Sequence, residues 1–468
     1  MKKILGFISA FVIILQCLAC PLCVSAESAP KLSGMNPALI YTIESDTLLY
    51  SRGGDTPVFP TSAVKLMTAA LAIEYYGSDR DRYITVASGM LYGATGNSIG
   101  LRTNETAPAR DILYAMIVGG ANDCAHVLAC DVAGTPAAFV EKMNEKAKEL
   151  GMKNTVYTNP SGIHDEAMVT TVNDTLILAK YVYSMSEFTD ICGKGRYVMP
   201  KTNLTGQRTI ISKNYFLSKL ISGDYYNSSV TGMNAGSTSS GGLCLVASVA
   251  GADGLTYIAI SMAAIPDIEV VTPEEDILDE QGNVIGQTNP VTKEIYTSYL
   301  QVETLVDWAE KSFSYRKVID SSKAFCETEV RMGQGVDHIA LMPVESLELY
   351  LENDVDIESK VRMDIQLDSE YMTAPVKAGD HAGTLVVSYD GDMTEIPLVA
   401  RTSVEKSYSA YLLSTVGAFI RTPKFVLICI AVVFAAIVYI AVSATLRYRR
   451  RLEAKREFYK NAAEREDK

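Results

Sequence analysis

The stretch Pro60–Lys65 reads Pro-Thr-Ser-Ala-Val-Lys, and the run Leu66–Ile73 that follows it reads Leu-Met-Thr-Ala-Ala-Leu-Ala-Ile. The run is apolar on nearly every side, which predicts a helix that is buried all round. The proline ahead of it and the threonine and serine at its start favour a helix that begins there. Ser62 and Lys65 are three positions apart, so they share one face of the predicted helix.

A serine and a lysine at the start of a buried helix indicate nucleophilic catalysis. An ammonium group is costly to bury without partners, and the positive end of a helix disfavours that cation and favours a developing oxyanion. Both effects suit Ser62 as a nucleophile with Lys65 as its base. Ser-x-x-Lys also occurs by chance in long chains, and a serine at a helix start is commonly a cap. The rest of the chain must therefore support the catalytic interpretation.

The first residues indicate export. Residues 1–26 combine a basic start, an apolar core and the small-residue pattern Val-Ser-Ala, which predicts a secretory signal peptide. A lipid anchor at Cys20 is the alternative, but the residues before Cys20 fit it poorly. Five cysteines remain in the exported part, an odd number at wide spacing, so we expect neither a disulfide framework nor a metal site. The net charge of −13 argues against nucleic-acid binding.

The other end of the chain predicts a membrane anchor. Residues 425–446 form an uninterrupted run of apolar and small residues, long enough to span a bilayer once. The basic segment Arg447–Arg451 follows, and positive residues stay on the cytoplasmic side. We therefore expect residues 447–468 to form a cytoplasmic tail and the main domains to lie on the extracytoplasmic side of the cell membrane. A buried core helix is the alternative, and the lack of charge in the run argues against it.

Between these ends the sequence predicts two domains. Residues 35–314 begin with two strands, continue with a mainly helical part and return to strands at 242–250 and 255–264, which predicts an α/β (α+β) domain whose sheet is assembled from both ends. An acidic segment, 266–290, is expected to be a surface loop or a hairpin insertion. Residues 316–403 are short alternating runs between turns, which predict a small all-β domain, and 404–424 form a linker.

Several ordered motifs resemble those of one family. They are the Ser62 stretch, Gly-Ala-Asn-Asp at 120–123, Asn-Pro-Ser-Gly-Ile at 159–163 and Gly-Gly-Leu-Cys-Leu-Val-Ala-Ser at 241–248, with Ala-Pro-Val-Lys-Ala-Gly at 374–379 and Ile-Pro-Leu-Val-Ala at 396–400 in the second domain. The chain resembles the D-alanyl-D-alanine carboxypeptidases, which are low-molecular-mass penicillin-binding proteins. The resemblance implies the penicillin-binding-protein/β-lactamase-like transpeptidase fold, and no cofactor. It also implies peptidoglycan stem peptides as substrates and β-lactams as acylating ligands.

The resemblance also assigns roles to site residues. It implies Ser62 as nucleophile, Lys65 as base and Asn122 as the amide that orients the substrate. Two motifs depart from the family pattern. Gly120 stands where the family has a serine, and Asn234-Ala235-Gly236 stands where the family has Lys-Thr-Gly.

These departures predict a changed activity. The substrate carboxylate loses its cation at 234, which leaves Asn234 and Gly236 as the remaining substrate-binding positions of the third motif. Arg208 is a candidate substitute cation. We interpret His126 as structural, because no histidine stands in a Ser-His-Asp context. The sequence predicts a serine carboxypeptidase with reduced or altered activity; the alternative is a catalytically silent protein that binds cell-wall peptide or a partner.

Overall fold

The computed structural model describes residues 29–221, 223–272, 276–278, 284–287 and 291–466. The predicted signal peptide lies outside these residues. The chain divides into two units. The first contains the residues up to Arg316 together with Leu349–Val355, and the second contains Lys317–Glu348 and the residues from Asp356 onward.

The first unit is built on a sheet that joins the two ends of its sequence. Its strand order is β2-β1-β9-β8-β7, and every pairing is antiparallel. The register pairs Leu39 with Ile260, so residues far apart in sequence share the core of the sheet. This confirms the prediction of one sheet assembled from both ends. The strands of this unit are β1 Ala38–Thr42, β2 Thr47–Arg52, β3 Tyr83–Thr85, β4 Thr106–Pro108, β5 Arg196–Met199, β6 Arg208–Ile211, β7 Val230–Thr238, β8 Gly242–Ala250, β9 Thr256–Ala264, β10 Asp267–Thr272, β11 Asp276–Leu278, β12 Val284–Gln287 and β13 Val291–Ile295.

The helices of the first unit lie mainly between β2 and β7. They are α1 Val64–Tyr76, α2 Ala109–Gly119, α3 Asn122–Ala133, α4 Pro136–Glu149, α5 Val172–Tyr183, α6 Ser186–Cys192 and α7 Thr297–Ser312. Residues Val64–Ile73 of α1 are buried without exception, as the apolar run predicted. Helix α1 contacts α2, α3 and α5, so it forms the centre of the helical part. Lys65 therefore stands on this buried helix, and Ser62 lies directly before it.

The acidic insertion forms hairpins rather than an irregular loop. Strand β10 pairs with β13, and β11 pairs with β12, both antiparallel. Ile268 and Val270 on β10 are exposed to solvent. Alternating β-branched residues flanking a turn-rich acidic centre favour such paired strands, which confirms the hairpin alternative.

The second unit contains a six-stranded sheet with the order β18-β20-β21-β16-β15-β19. This confirms the predicted all-β character of this part. Strands from Phe313 onward are β14 Phe313–Ile319, β15 Cys326–Arg331, β16 His338–Pro343, β17 Leu347–Glu352, β18 Arg362–Leu367, β19 Tyr371–Thr373, β20 His381–Tyr389 and β21 Asp392–Ala400, with the short helix α8 Ile357–Lys360 after β17.

Two helices follow the strands. The segment predicted as a linker, 404–424, contains α9 Tyr408–Ile420, whose start is capped by Ser407, which accepts a hydrogen bond from the Ala410 amide. Helix α10 spans Pro423–Glu466 and is long and apolar enough over Pro423–Glu457 to cross a membrane. The predicted span at 425–446 lies within it.

Candidate active site

Ser62 lies in a short 3-10 turn, Thr61–Ala63, that leads into α1. The helix itself starts at Val64, after the serine. Thr61 has a φ of +47°, in the left-handed region that a β-branched residue rarely adopts. The chain therefore turns sharply before the serine, and such strain is typical of functional positions that the surrounding structure holds in place.

Two glycines allow neighbouring segments to close on this turn. A Cβ atom at Gly236 of β7 would lie 2.7 Å from the Cβ and 2.9 Å from the Oγ of Ser62. A Cβ atom at Gly162 would lie 1.8 Å from the carbonyl oxygen of Thr61, and Gly162 also has a φ of +80°. Only glycine fits at these approaches. Strand β7 and the 159–163 motif thus pack closely against Ser62 and Thr61. Gly236 has a steric role, because a side chain at this position would overlap Ser62.

Lys65 lies on the first turn of α1 and is 4% exposed. Its Nζ donates a hydrogen bond of 2.5 Å to the carbonyl oxygen of Ser161. Burial lowers the pKa of Lys65 from its ordinary 10.5 to about 8. A substantial fraction of neutral amine is therefore present in mildly alkaline solution, without any cation at position 234.

The Ser62 hydroxyl is buried and has no hydrogen-bond partner among the described residues. Lys65 donates to Ser161 instead. His126 lies on the far side of Ser161, with its Nε2 3.4 Å from the Ser161 Oγ, and burial lowers the pKa of this imidazole. Neutral His126 thus packs behind the base, which agrees with the interpretation of His126 as a structural residue.

At the predicted second motif the chain carries the Asn122 amide and a glycine at 120. Asn122 is the first residue of α3, and its Nδ2 donates a 2.7 Å hydrogen bond to the carbonyl oxygen of Thr95. Gly120, directly after α2, has a φ of +65°. A left-handed residue after a helix is usually glycine, so the backbone here suits the residue that the chain carries.

The third motif presents backbone and small side chains to the site. Asn234 is 4% exposed, and its Oδ1 has no hydrogen-bond partner among the described residues. It does not line the cavity next to Ser62, whereas the residues from Ala235 to Ser239 do. The structure therefore brings Gly236 to Ser62 and leaves the Asn234 amide buried and outside the cavity lining.

Arg208 is not brought to this site. Its guanidinium makes a bidentate ion pair with Glu105, in which the distance from Nη1 to Oε1 is 2.7 Å and that from Nη2 to Oε2 is 3.0 Å. The Glu105 carboxylate is fully buried and the Arg208 side chain is 12% exposed. Removing Arg208 from this pair would leave a buried charge without a partner. Arg208 is thus committed to the protein interior and is absent from the cavity lining, which corrects its interpretation as a substitute cation.

Ser62, Lys65, Asn122 and Gly236 line a cavity of about 880 Å³, within the size range of ligand sites. Sequence reasoning missed several of its members. These residues lie in irregular segments or after the insertion, where no periodic sequence pattern identifies them. They are Thr95, Asn97, Ser161, His164, Lys213, Tyr215, Glu294, Tyr296 and Tyr299. Only the Asn-Pro-Ser-Gly motif at 159–162 gave a signal for one of them, Ser161.

The wall past Lys213 is aromatic. The rings of Tyr215 and Tyr299 stack with centroids 5.4 Å apart, and those of Tyr215 and Tyr296 meet edge to face at 5.2 Å. Such ring pairs hold their geometry firmly. The cavity therefore combines a nucleophile–base pair, a backbone strand edge and a rigid aromatic wall, which together can bind an extended peptide and accept its acyl group on Ser62. No cluster of three metal-binding side chains occurs in the part of the chain that the structure describes.

Comparison with known proteins places this site in a family. Residues 24–265 match the family model described as D-alanyl-D-alanine carboxypeptidase, and residues 313–406 match that of the penicillin-binding protein 5 C-terminal domain. The chain is 24% identical over 387 residues to D-alanyl-D-alanine carboxypeptidase DacF of Bacillus subtilis, covering 80% of this chain and 88% of that protein.

Solved structures show the same fold. Penicillin-binding protein 5 from Haemophilus influenzae superposes with a TM-score of 0.53 at 20% identity, covering 81% of this chain and 99% of that one. Penicillin-binding protein 6B from Escherichia coli gives 0.55 at 16% identity, covering 80% and 98%. These likenesses confirm the predicted transpeptidase fold with its second β domain. The chain belongs to the serine-type D-alanyl-D-alanine carboxypeptidase family.

Proposed function

We propose that this protein is a membrane-anchored serine carboxypeptidase that removes the terminal D-alanine from peptidoglycan stem peptides, with reduced or altered activity. The observation that carries the proposal is the buried Lys65, one helical turn from Ser62, with a pKa of about 8. A base with that pKa sits where general-base catalysis needs it. The relatives' names support the substrate class.

The reaction follows from these groups. Neutral Lys65 takes the proton of the Ser62 hydroxyl as the serine oxygen attacks the carbonyl carbon before the terminal D-alanine. The carbon–nitrogen bond then breaks, the proton passes to the leaving amine, and D-alanine departs. Water, deprotonated by the same lysine, hydrolyses the ester on Ser62. The positive end of α1 favours the oxyanion in both steps.

Two features support the reduction in activity. Gly120 supplies no hydroxyl to relay the proton, and a positioned acid–base group typically contributes about 10²–10⁴-fold. Asn234 supplies no cation to the substrate carboxylate. The nucleophile remains complete while the parts that relay protons and hold substrate are diminished.

One observation favours the alternative of a silent binding protein. Lys65 donates to Ser161 and the Ser62 hydroxyl has no partner, so the proton transfer between them is not prearranged. Catalytic hydrogen bonds are often long in unliganded sites and tighten with substrate, and for this reason we favour the enzyme.

Acylation by a fluorescent penicillin distinguishes the two functions. We expect mass spectrometry of the purified extracytoplasmic part to find a β-lactam adduct on the peptide that carries Ser62, and Ser62→Ala to abolish it. Ser240→Ala, a serine outside the cavity lining, is the matched control and should be labelled normally. The absence of an adduct at every pH up to about 10, where even an ordinary lysine is partly neutral, would establish the binding protein.

We further propose that α10 anchors the chain with its main domains outside the cytoplasm. Arg447 and the basic residues after it follow the apolar part of the helix, and such residues stay inside. Protease added to intact cells should digest the part before Lys424 and spare the tail; a protected main part would reverse the orientation.

A further inference from the structure

We propose that Lys213 supplies the cation for the C-terminal carboxylate of the bound peptide, in place of the lysine that the third motif lacks. The inference rests on the proposed function, since it assigns a recognition residue to that cavity. Lys213 lies in the irregular segment between β6 and β7 and lines the cavity together with Ser62, Gly120 and Asn122.

The backbone fixes Lys213 beside the altered second motif. Its amide N–H donates a 3.2 Å hydrogen bond to the carbonyl oxygen of Val118, on the last turn of α2. A Cβ atom at Gly120 would lie 3.6 Å from the Lys213 Cγ. The lysine stem therefore runs past Gly120, on the lining of the cavity that also contains Ser62.

The Lys213 ammonium group also has no other binding partner among the described residues. Neither an ion pair nor a side-chain hydrogen bond engages its ammonium group within the described ranges. The other lysine in the cavity lining is Lys65, which is buried and serves as the base. Arg208 is held by Glu105. An anionic end of a substrate thus meets one free cationic side chain near Ser62.

The same cavity contains one carboxylate, Glu294, among the described residues that line it. Its Oε2 accepts a 2.9 Å hydrogen bond from the Tyr296 hydroxyl, so the carboxylate is held next to the aromatic wall. No ion pair joins it to Lys213. The negative charge of Glu294 disfavours a ligand carboxylate in the same cavity. A peptide that ends in a free carboxylate therefore needs the positive charge of Lys213 to bind there.

The charge requirement can be measured by pairing two acylating probes. Benzylpenicillin carries a carboxylate, whereas a fluorophosphonate with an uncharged tail reacts with a serine without one. We expect Lys213→Met to slow acylation by penicillin about 10-fold or more, the size of a charge-assisted hydrogen bond, and to leave the fluorophosphonate rate unchanged. Lys213→Arg should restore the penicillin rate, and Lys201→Met, an exposed lysine outside the cavity, should match the parent protein. Equal slowing of both probes, or of neither, would overturn the proposal.

A binding measurement keeps this proposal separate from the catalytic one. Ser62→Ala protein, which cannot be acylated, is titrated calorimetrically with N-acetyl-D-alanyl-D-alanine and with its C-terminal amide. We expect the carboxylate form to bind about 10-fold tighter, and the preference to vanish in the Ser62→Ala, Lys213→Met double variant. If native protein forms no acyl adduct but this preference holds, the proposed enzymatic activity is refuted, and Lys213 is still assigned as the residue that binds the carboxylate. A carboxylate preference that persists without Lys213, or that never exists, refutes the assignment.

Discussion

The surroundings of Ser62 and the surroundings of Asn234 differ sharply, although strand β7 passes both. Around Ser62, Gly236 and Gly162 permit the closest approaches in the site, and Lys65 is buried with a defined hydrogen-bond partner. Around Asn234, a buried amide oxygen has no partner among the described residues. The Ser62 hydroxyl likewise has no partner there, so the two surroundings differ in the base and not in unpaired atoms. Lys65, with its lowered pKa, stands one helical turn from Ser62, whereas Asn234 is uncharged and lies outside the cavity lining.

This difference separates the groups that carry out the reaction from the groups that bind the substrate. The pKa of Lys65 is lowered by burial in a helix core, which depends on α1 and its neighbours and not on the third motif. The uncharged Asn234 thus offers no cation to a substrate, while burial still lowers the pKa of Lys65. We therefore expect the site to react with a strained acylating agent even if it binds a peptide weakly.

The largest expected effect comes from removing the base. Lys65→Met should lower the acylation rate of Ser62 by about 10²–10⁴-fold, measured by stopped-flow labelling with fluorescent penicillin. In the native protein the rate should rise about tenfold per pH unit below pH 8 and level off above it, because only the neutral amine accepts the proton. A flat profile through this range would show that Lys65 is not the base.

Lys65 also makes a stability prediction whose sign is fixed. Its folded pKa lies below its unfolded value, so the unfolded chain binds more protons between about pH 8 and 10.5, and this residue makes the fold more stable as pH rises through that window. Chemical denaturation of Lys65→Met should lack this component.

The next effect tests the clamp on the nucleophile. Gly236→Ala places a methyl group within 3 Å of Ser62, and a displacement of about 1 Å at a reacting group can cost about 10²-fold in rate. We expect a fall of that size in acylation. Gly206→Ala, at a glycine with open space around it, should match the parent protein; a Gly236→Ala variant that does the same would show that the strand does not constrain Ser62.

The smallest effect comes from restoring the missing parts. Asn234→Lys with Ala235→Thr should strengthen binding of a peptide with a D-alanine carboxylate by about 10–150-fold, and should move the acylation profile to lower pH because a neighbouring cation disfavours the Lys65 ammonium. Affinity by calorimetry and the pH profile of labelling report the two effects.

Gly120→Ser added to that background should raise the rate further. Its gain is limited by the φ of +65° at position 120, where a side chain costs roughly 1–3 kcal/mol of stability. If all three restorations leave rate and affinity unchanged in a folded protein, the site has diverged at other positions.

Much of this architecture could be predicted because its determinants are local. The apolar run that becomes α1 and the two long strands before the insertion are strongly patterned, and the structure places them as expected. Ser62, Lys65, Asn122 and Gly236 were predicted from motifs, and the structure brings them around one cavity, with Asn122 and Gly236 on different elements.

The rest depended on contacts that leave no mark in sequence. Arg208 pairs with a carboxylate 103 positions away, and an arginine in a short strand does not reveal its partner. The acceptor for Lys65 is a backbone carbonyl, which any residue at 161 would offer. Lys213 lies in irregular structure, where neither periodicity nor a motif separates it from an ordinary surface lysine.

The pairing of β1 with β9 constrains when the sheet of the first unit can form during synthesis. Strand β1 precedes the whole helical part, and β9, its neighbour in the sheet, is synthesised more than 200 residues later, as the pair Leu39 and Ile260 shows. Until β9 emerges, β1 can pair only with β2 and presents an open edge. Long-range strand pairing forms slowly. A chain that crossed the membrane during synthesis would therefore remain vulnerable to proteases and to edge-to-edge association until β9, just past the middle of the sequence, had emerged.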